Sequence, residues 1–307
     1  MRSFRALKRA AAWSTATAVV GTYYYKVQLQ PPTKSKDGLA QKEVPLFEWT
    51  RIPQSIASQY VAPYPEPGML WNMGRTAVMG GVGLFAKFFL RYLADTEVYG
   101  LDGFVEVVEH DRDRGLITVS NHLSVWDDPL LWGVLPASVL CSIHKMRWVL
   151  SAADICYTTR PKGIFFSWGQ AIPTIRGIGI FQPAVDYAIH KCNTNGWIHI
   201  YPEGYVNQSG TMVRFKWGVS RIIMESERCP LVIPIWHEGM QHVRPLQGPF
   251  VRLFQPVTVV FGDPIDFQDI IKAWKAGELS ETEARIKITS LIYQTLDQLR
   301  QKAQTPK

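Results

Sequence analysis

The stretch from Gly115 to Leu131, GLITVSNHLSVWDDPLL, constrains the chain more than any other. Leu116 to Val119 has the apolar, β-branched content and the length of a buried strand, and it stops at the polar cluster Ser120-Asn121-His122. Asp127, Asp128 and Pro129 then read as the opening of a helix. A strand, a polar turn and a helix in immediate succession form an α/β unit, and its turn holds an imidazole and a carboxylate on a rigid frame.

The rest of the body repeats the alternation. Phe104 to Val108, Ala171 to Ile175, Trp197 to Tyr201, Leu231 to Ile235 and Val257 to Phe261 also read as strands. Between them lie helical stretches such as Ala184 to Lys191 and Val219 to Ser226. This pattern predicts an α/β fold with a mixed, largely parallel sheet flanked by helices. Pro234 inside its run predicts an edge position or a bulge. A last amphipathic helix begins at Ser280, which pairs with Glu283 as a capping box, with Ile288, Leu291, Ile292, Leu296 and Leu299 as its apolar stripe.

The net charge of +7 is localised. Seven basic residues, Arg2 to Lys36, precede the first acid, Asp37, which leaves 26 of the 33 basic residues against 26 acidic ones. A balanced body has no basic face for nucleic acid. Cys141, Cys156, Cys192 and Cys229 show no Cys-x-x-Cys pair, which argues against a disulfide scaffold or zinc ribbon. Eleven tryptophans and twelve tyrosines suit a membrane interface.

Residues 1–30 are acid-free, with Arg5, Lys8 and Arg9 before an uncharged run from Ala10 to Tyr25. They read as a mitochondrial targeting segment, or else as a membrane anchor or a basic tail. Residues 31–71 form a proline-rich linker or wrap. Residues 72–94 are helical, with an uncharged part too short to span a bilayer, and fit either an interfacial helix or a glycine-rich core helix.

His122 is the candidate general base and Asp127 its orienting partner, the division of labour found in serine hydrolases. No Gly-x-Ser-x-Gly elbow occurs, and Ser124 reads as a helix cap, so the hydroxyl to be activated belongs to the substrate. The alternative is that Asp127 or Asp128 only caps the helix and His122 is a satisfied loop histidine. Arg176, in a glycine-rich strand end, suits a phosphate, and Glu203 closes a Tyr-Pro-Glu-Gly turn. With His122 they fall at strand ends, where open α/β sheets bind ligands.

In this order the segments resemble the glycerolipid acyltransferase superfamily. Asn121-His122 to Asp127 looks like its first motif, Arg176 falls in the second, Tyr201-Pro-Glu-Gly204 in the third and Val232-Ile-Pro-Ile235 in the fourth. Tyr201 stands where the superfamily commonly has phenylalanine. Asn121 to Pro129, His144 to Trp148, Ala152 to Cys156 and Arg214 to Gly218 are most similar to its mitochondrial phospholipid transacylase branch. The resemblance implies an acyltransferase domain at 72–303, which takes in the helix 72–94, interfacial or core-packed, and a C-terminal helix 280–302, in a mitochondrial protein associated with the inner or outer membrane, or both, and facing the intermembrane space. It implies His122 and Asp127 as the catalytic pair, and Arg176, Glu203, the Gly204 backbone and Asn121 at the substrate. Phospholipids and lysophospholipids, cardiolipin among them, would be the substrates at a membrane surface, with no cofactor and no metal. The donor remains open between a phospholipid and acyl-CoA. A non-catalytic lipid-binding shell would predict loss of a motif residue, and all four of His122, Asp127, Arg176 and Glu203 are present.

Overall fold

The computed structural model describes residues 54–248 and 250–304. The segment 1–30 and most of the linker, with the expectations attached to them, lie outside that range. Seven strands form one sheet: β1 (Asp95–Tyr99), β2 (Leu116–Ser120), β3 (Trp148–Ala152), β4 (Ala171–Thr174), β5 (Trp197–Ile200), β6 (Leu231–Glu238) and β7 (Pro256–Phe261). Their order is β1-β7-β6-β2-β5-β3-β4. Five pairings are parallel, and only β6 with β7 is antiparallel. The carboxyl ends of β2 to β6 therefore share one edge of the sheet.

Eight helices are labelled α1 (Met69–Tyr92), α2 (Leu101–Glu109), α3 (Asp127–Leu131), α4 (Arg160–Trp168), α5 (Pro183–Asn193), α6 (Gly218–Glu225), α7 (Gln268–Lys275) and α8 (Glu281–Gln304). One core joins a sheet face to α5, α6 and α8 through residues such as Val185, Ile222, Ile288 and Leu296. The other joins the opposite face to α1, α2 and α3 through Phe89, Phe104, Leu130 and Trp132. Each large apolar side chain fully buried here contributes about 1.5–3 kcal/mol. The capping box of α8 forms as read: the Ser280 N–H donates to Glu283 Oε2 at 2.8 Å, and the Glu283 N–H to Ser280 Oγ at 3.2 Å.

Phe104 to Val108 is a helix rather than the expected strand. Leu101, Phe104, Val105 and Val108 recur at helical spacing, with Phe104 and Val108 buried, while Asp102, Glu106 and Glu109 face outward. Five consecutive apolar-leaning residues look alike in either state; the flanking charges decide. Pro234 lies in β6, inside the sheet, yet at a bulge. Ile235 pairs with Phe261 but Val232 with Ile265, a one-residue slip next to Pro234, whose carbonyl accepts the Gly262 N–H at 2.9 Å. The linker's end is packed, with Ile56 and Tyr60 buried and the Tyr60 hydroxyl donating to the Ala171 carbonyl at 2.9 Å.

Gly133, just after α3, fixes how closely α1 approaches. A Cβ there would stand 2.5 Å from the Ala86 carbonyl carbon and 2.7 Å from the Lys87 nitrogen, both backbone atoms of α1. Gly133→Ala is therefore expected to destabilise the fold by about 1–3 kcal/mol, read as a lower denaturation midpoint.

Candidate active site

β2 is buried along its whole length, so its end is held rigidly, and the chain leaves it at Asn121. The turn is then tied to its neighbours on both sides. Asn121 Nδ2 donates to the His237 carbonyl at 2.8 Å, and the His237 N–H donates to Asn121 Oδ1 at 3.0 Å, which fastens the turn to β6. On the β5 side the His122 N–H donates to Glu203 Oε1 at 2.9 Å, and the Asn207 N–H donates to the His122 carbonyl at 2.6 Å.

Within this clamp, His122 Nδ1 meets Asp127 Oδ2 at 2.9 Å. The same oxygen accepts the N–H groups of Leu123 at 2.6 Å and Ser124 at 2.8 Å. Asp127 is wholly buried, so its charge is held by these donors and by the imidazole. One carboxylate thus ties down the turn ahead of α3 and orients the histidine, while the first turn of α3 itself has no side-chain cap. With Nδ1–H committed to Asp127, Nε2 is left as the basic nitrogen of a partly exposed ring, stacked on Tyr201 at 4.1 Å between centroids. Ser124 Oγ is engaged, donating to the Arg244 carbonyl at 3.0 Å and accepting from the Trp126 N–H at 3.3 Å, so it is not a free nucleophile.

The other expected residues are placed differently. Glu203 is buried, with one oxygen accepting the His122 N–H and the other Asn207 Nδ2 at 2.7 Å, so its carboxylate holds the turn while lining the cavity beside it. The Gly204 N–H donates to the Tyr201 carbonyl at 3.0 Å within its own turn and is not offered to an oxyanion. Its φ of +76° is what that tight turn requires of a glycine. Arg176 follows β4, three strand steps from β2, which at sheet spacing is about 14 Å. There it is exposed and ion-paired with Asp154, on the same edge but outside the His122 cluster.

Three groups were not singled out in the sequence. Arg147 grips Asp128 with two guanidinium nitrogens, Nε at 3.0 Å from Oδ1 and Nη2 on Oδ2, tying the start of α3 to β3. His237 and His199 form a buried layer beneath the turn. The Trp197 indole donates to Thr118 Oγ1 at 2.8 Å, Thr118 reaches His199 Nδ1 at 2.8 Å, and His199 Nε2 reaches Ser120 Oγ at 3.3 Å. Ser120 then donates to the Asn121 carbonyl at 3.0 Å, which also accepts from His237 Nε2 at 2.9 Å. His237 lies within β6, two residues beyond the fourth motif's Ile235, and that nearness is the one local signal that could have flagged it. A cavity of about 170 Å³, lined by Asn121, Leu123, Glu203, Asn207 and Trp236 among others, flanks this assembly.

Burial pushes the His199 imidazole well below its ordinary pKa and that of His237 below it, so both are neutral in the fold. In the unfolded chain they titrate near about 6.5. Their contribution is therefore complete above about pH 6.5 and is lost as pH falls through that value, at up to about 1.4 kcal/mol per pH unit for each. Glu203, raised by burial, acts in the opposite sense: its contribution is present at low pH and lost as pH rises through its elevated pKa. Two histidines outweigh one carboxyl, so denaturant melts are expected to show lower stability at about pH 5.5 than at about pH 7.5.

Comparison with known proteins agrees with this geometry. The Acyltransferase family model matches residues 97–238, the span from β1 to the end of β6. Tafazzin of Drosophila melanogaster is 37% identical over 276 residues, covering 89% of this chain and 72% of that protein. Taffazin of Dictyostelium discoideum is 37% identical over 200 residues, 63% of this chain and 70% of its own. N-acylphosphatidylethanolamine synthase of Arabidopsis thaliana is 35% identical over 207 residues, 64% of this chain and 72% of its own. The crystal structure of the 1-acyl-sn-glycerophosphate acyltransferase PlsC from Thermotoga maritima superposes with a TM-score of 0.52 at 18% identity, covering 96% of this chain and all of that one, which shows a shared fold. With a buried carboxylate orienting an accessible imidazole at the end of the central strand, and relatives matched across most of its length, the chain belongs to the tafazzin family of acyltransferases.

Proposed function

We propose that the protein is a phospholipid–lysophospholipid transacylase that remodels phospholipids, cardiolipin among them, at a mitochondrial membrane surface facing the intermembrane space. The observation that carries the reading is the 2.9 Å contact of His122 Nδ1 with Asp127, which leaves Nε2 basic beside a serine whose hydroxyl is already engaged. In the reaction, Nε2 takes the proton of a lysophospholipid hydroxyl as that oxygen attacks the ester carbonyl of a donor phospholipid. The tetrahedral intermediate collapses, the donor's glycerol oxygen leaves, and the imidazolium returns the proton to it. One ester forms and one breaks, and the donor becomes the new lysophospholipid. Asp127 supports the imidazolium, while Asn121 and Glu203 hold the turn. Arg176 would serve a phosphate only in exchange for its Asp154 partner.

The donor is tested by transfer of a labelled acyl chain between phosphatidylcholine and a lysophospholipid in liposomes, with and without coenzyme A. Transfer without coenzyme A is expected; activity with acyl-CoA alone would overturn the reading. The Arabidopsis relative's name motivates a second arm with phosphatidylethanolamine as acceptor, in which Nε2 would take a proton from an amine. Among the described residues no helix is long and apolar enough to cross a membrane. The exposed Met69, Leu70, Met73, Leu84 and Phe88 on α1 favour binding parallel to the surface.

A further inference from the structure

We infer that the loop 250–254, together with the C-terminal end of α1, is a bilayer-docking platform that seats the site's edge of the sheet on the membrane. The inference rests on the reading of the substrate as a membrane phospholipid.

The loop carries Phe250, Leu253 and Phe254 in five positions of a connection, where polar turn residues are the rule. All three are exposed, at 65%, 43% and 69%. Phe254 also has a φ of +58°, the left-handed region that a bulky side chain avoids. It is held there because its N–H donates to the Leu93 carbonyl at the end of α1, at 2.7 Å, while the Asp95 N–H donates to the Gln255 carbonyl at 3.0 Å. The backbone thus presents a mostly exposed phenyl ring to solvent at a conformational cost.

The end of α1 lies against this loop and is apolar on its outer face. Leu84, Phe88 and Tyr92 recur every four residues, all exposed, with the last two rings 5.2 Å apart. Arg91 and Arg252, both exposed, stand beside the apolar side chains, the arrangement of interfacial segments that meet acidic headgroups.

Topology places the platform where a lipid must arrive. β6 ends at Glu238 on the edge that carries His122, and the antiparallel β7 begins there, as does β1, with Asp95 beside Pro256. The loop joining β6 to β7 is therefore on the edge of the site, and Phe85 and Phe89 of α1 pack on Trp126 inside the His122–Asp127 turn. A protein covering this edge would obstruct the entry of lipid to Nε2; a bilayer would supply it.

The test uses the full-length chain and phosphatidylcholine vesicles containing an anionic phospholipid. Adding vesicles is expected to slow amide hydrogen exchange across 250–255, a measurement that needs no variant. The pair Phe250→Asp with Phe254→Asp should need about tenfold more lipid for half-maximal binding while keeping its activity on dispersed short-chain substrate. Ile286→Asp, at an isolated exposed isoleucine of α8, should bind as the parent does. Unchanged exchange, or unchanged lipid affinity of the paired variant, would overturn the inference. If the parent protein transferred no acyl chain, the functional reading would fail while exchange and binding still decided the docking.

Discussion

His122→Ala is expected to lower acyl transfer by about 10²–10⁴-fold while leaving vesicle binding near that of the parent. The size follows from the role: a positioned general base contributes that much, and nothing else at this turn can replace it. Ser124 and Asp127 are both engaged in holding the backbone, and the buried His237 faces the Asn121 carbonyl rather than the solvent side. Stability should fall as well, by about 1–3 kcal/mol, because the mostly buried ring stacks on Tyr201 and supplies one of the partners of the buried Asp127 carboxylate. Asp127→Asn should cost activity comparably, since an amide cannot both accept the two backbone N–H groups and support an imidazolium. It should also lower stability, because those donors are buried.

Glu203 carries the second large effect, and here the loss is mainly of stability. Its removal in Glu203→Ala strands two buried donors, the His122 N–H and the Asn207 amide, each worth about 1–3 kcal/mol when left unpaired. A loss of about 2–5 kcal/mol follows, which lowers the melting temperature by roughly 4–20 °C in a domain of this size. Activity should fall with it, because the backbone of His122 loses its tie to β5. Glu203→Gln separates this positioning role from contact with substrate. Its oxygen can still accept from His122, and burial already disfavours the charge that the change removes. It should therefore keep the tie to His122 and most activity, and lose about 1–3 kcal/mol of stability because the new amide –NH2 meets the Asn207 Nδ2 donor. A folded Gln variant without activity would mean that the carboxylate itself meets the substrate.

The central strands were readable because they are buried on both faces and so appear as unbroken apolar runs; β2, β5 and most of β6 have no exposed residue to interrupt the pattern. The strands that escaped notice lie toward the sheet's ends. β1 reads Asp-Thr-Glu-Val-Tyr and is largely solvated, and β3 is short, with Ser151 breaking its run. The His122 and Asp127 proximity was legible because both lie within one turn. Contacts set by tertiary approach were not. Arg147 reaches Asp128 across 19 residues, His237 reaches Asn121 across 116, and nothing local in the sequence reports either meeting. Arg176 shows the converse, a residue whose setting in the sequence suited a phosphate but which the sheet order carries to the outermost strand.

The most direct test of the account is the stoichiometry of transfer in vesicles free of coenzyme A, with the donor phospholipid and acceptor lysophospholipid carrying different labels. The His122–Asp127 mechanism predicts one donor-derived lysophospholipid for each acceptor newly esterified, with no accumulation of free fatty acid and with both products lost in His122→Ala. Release of fatty acid without esterification of the acceptor, or transfer that persists in His122→Ala, would contradict it.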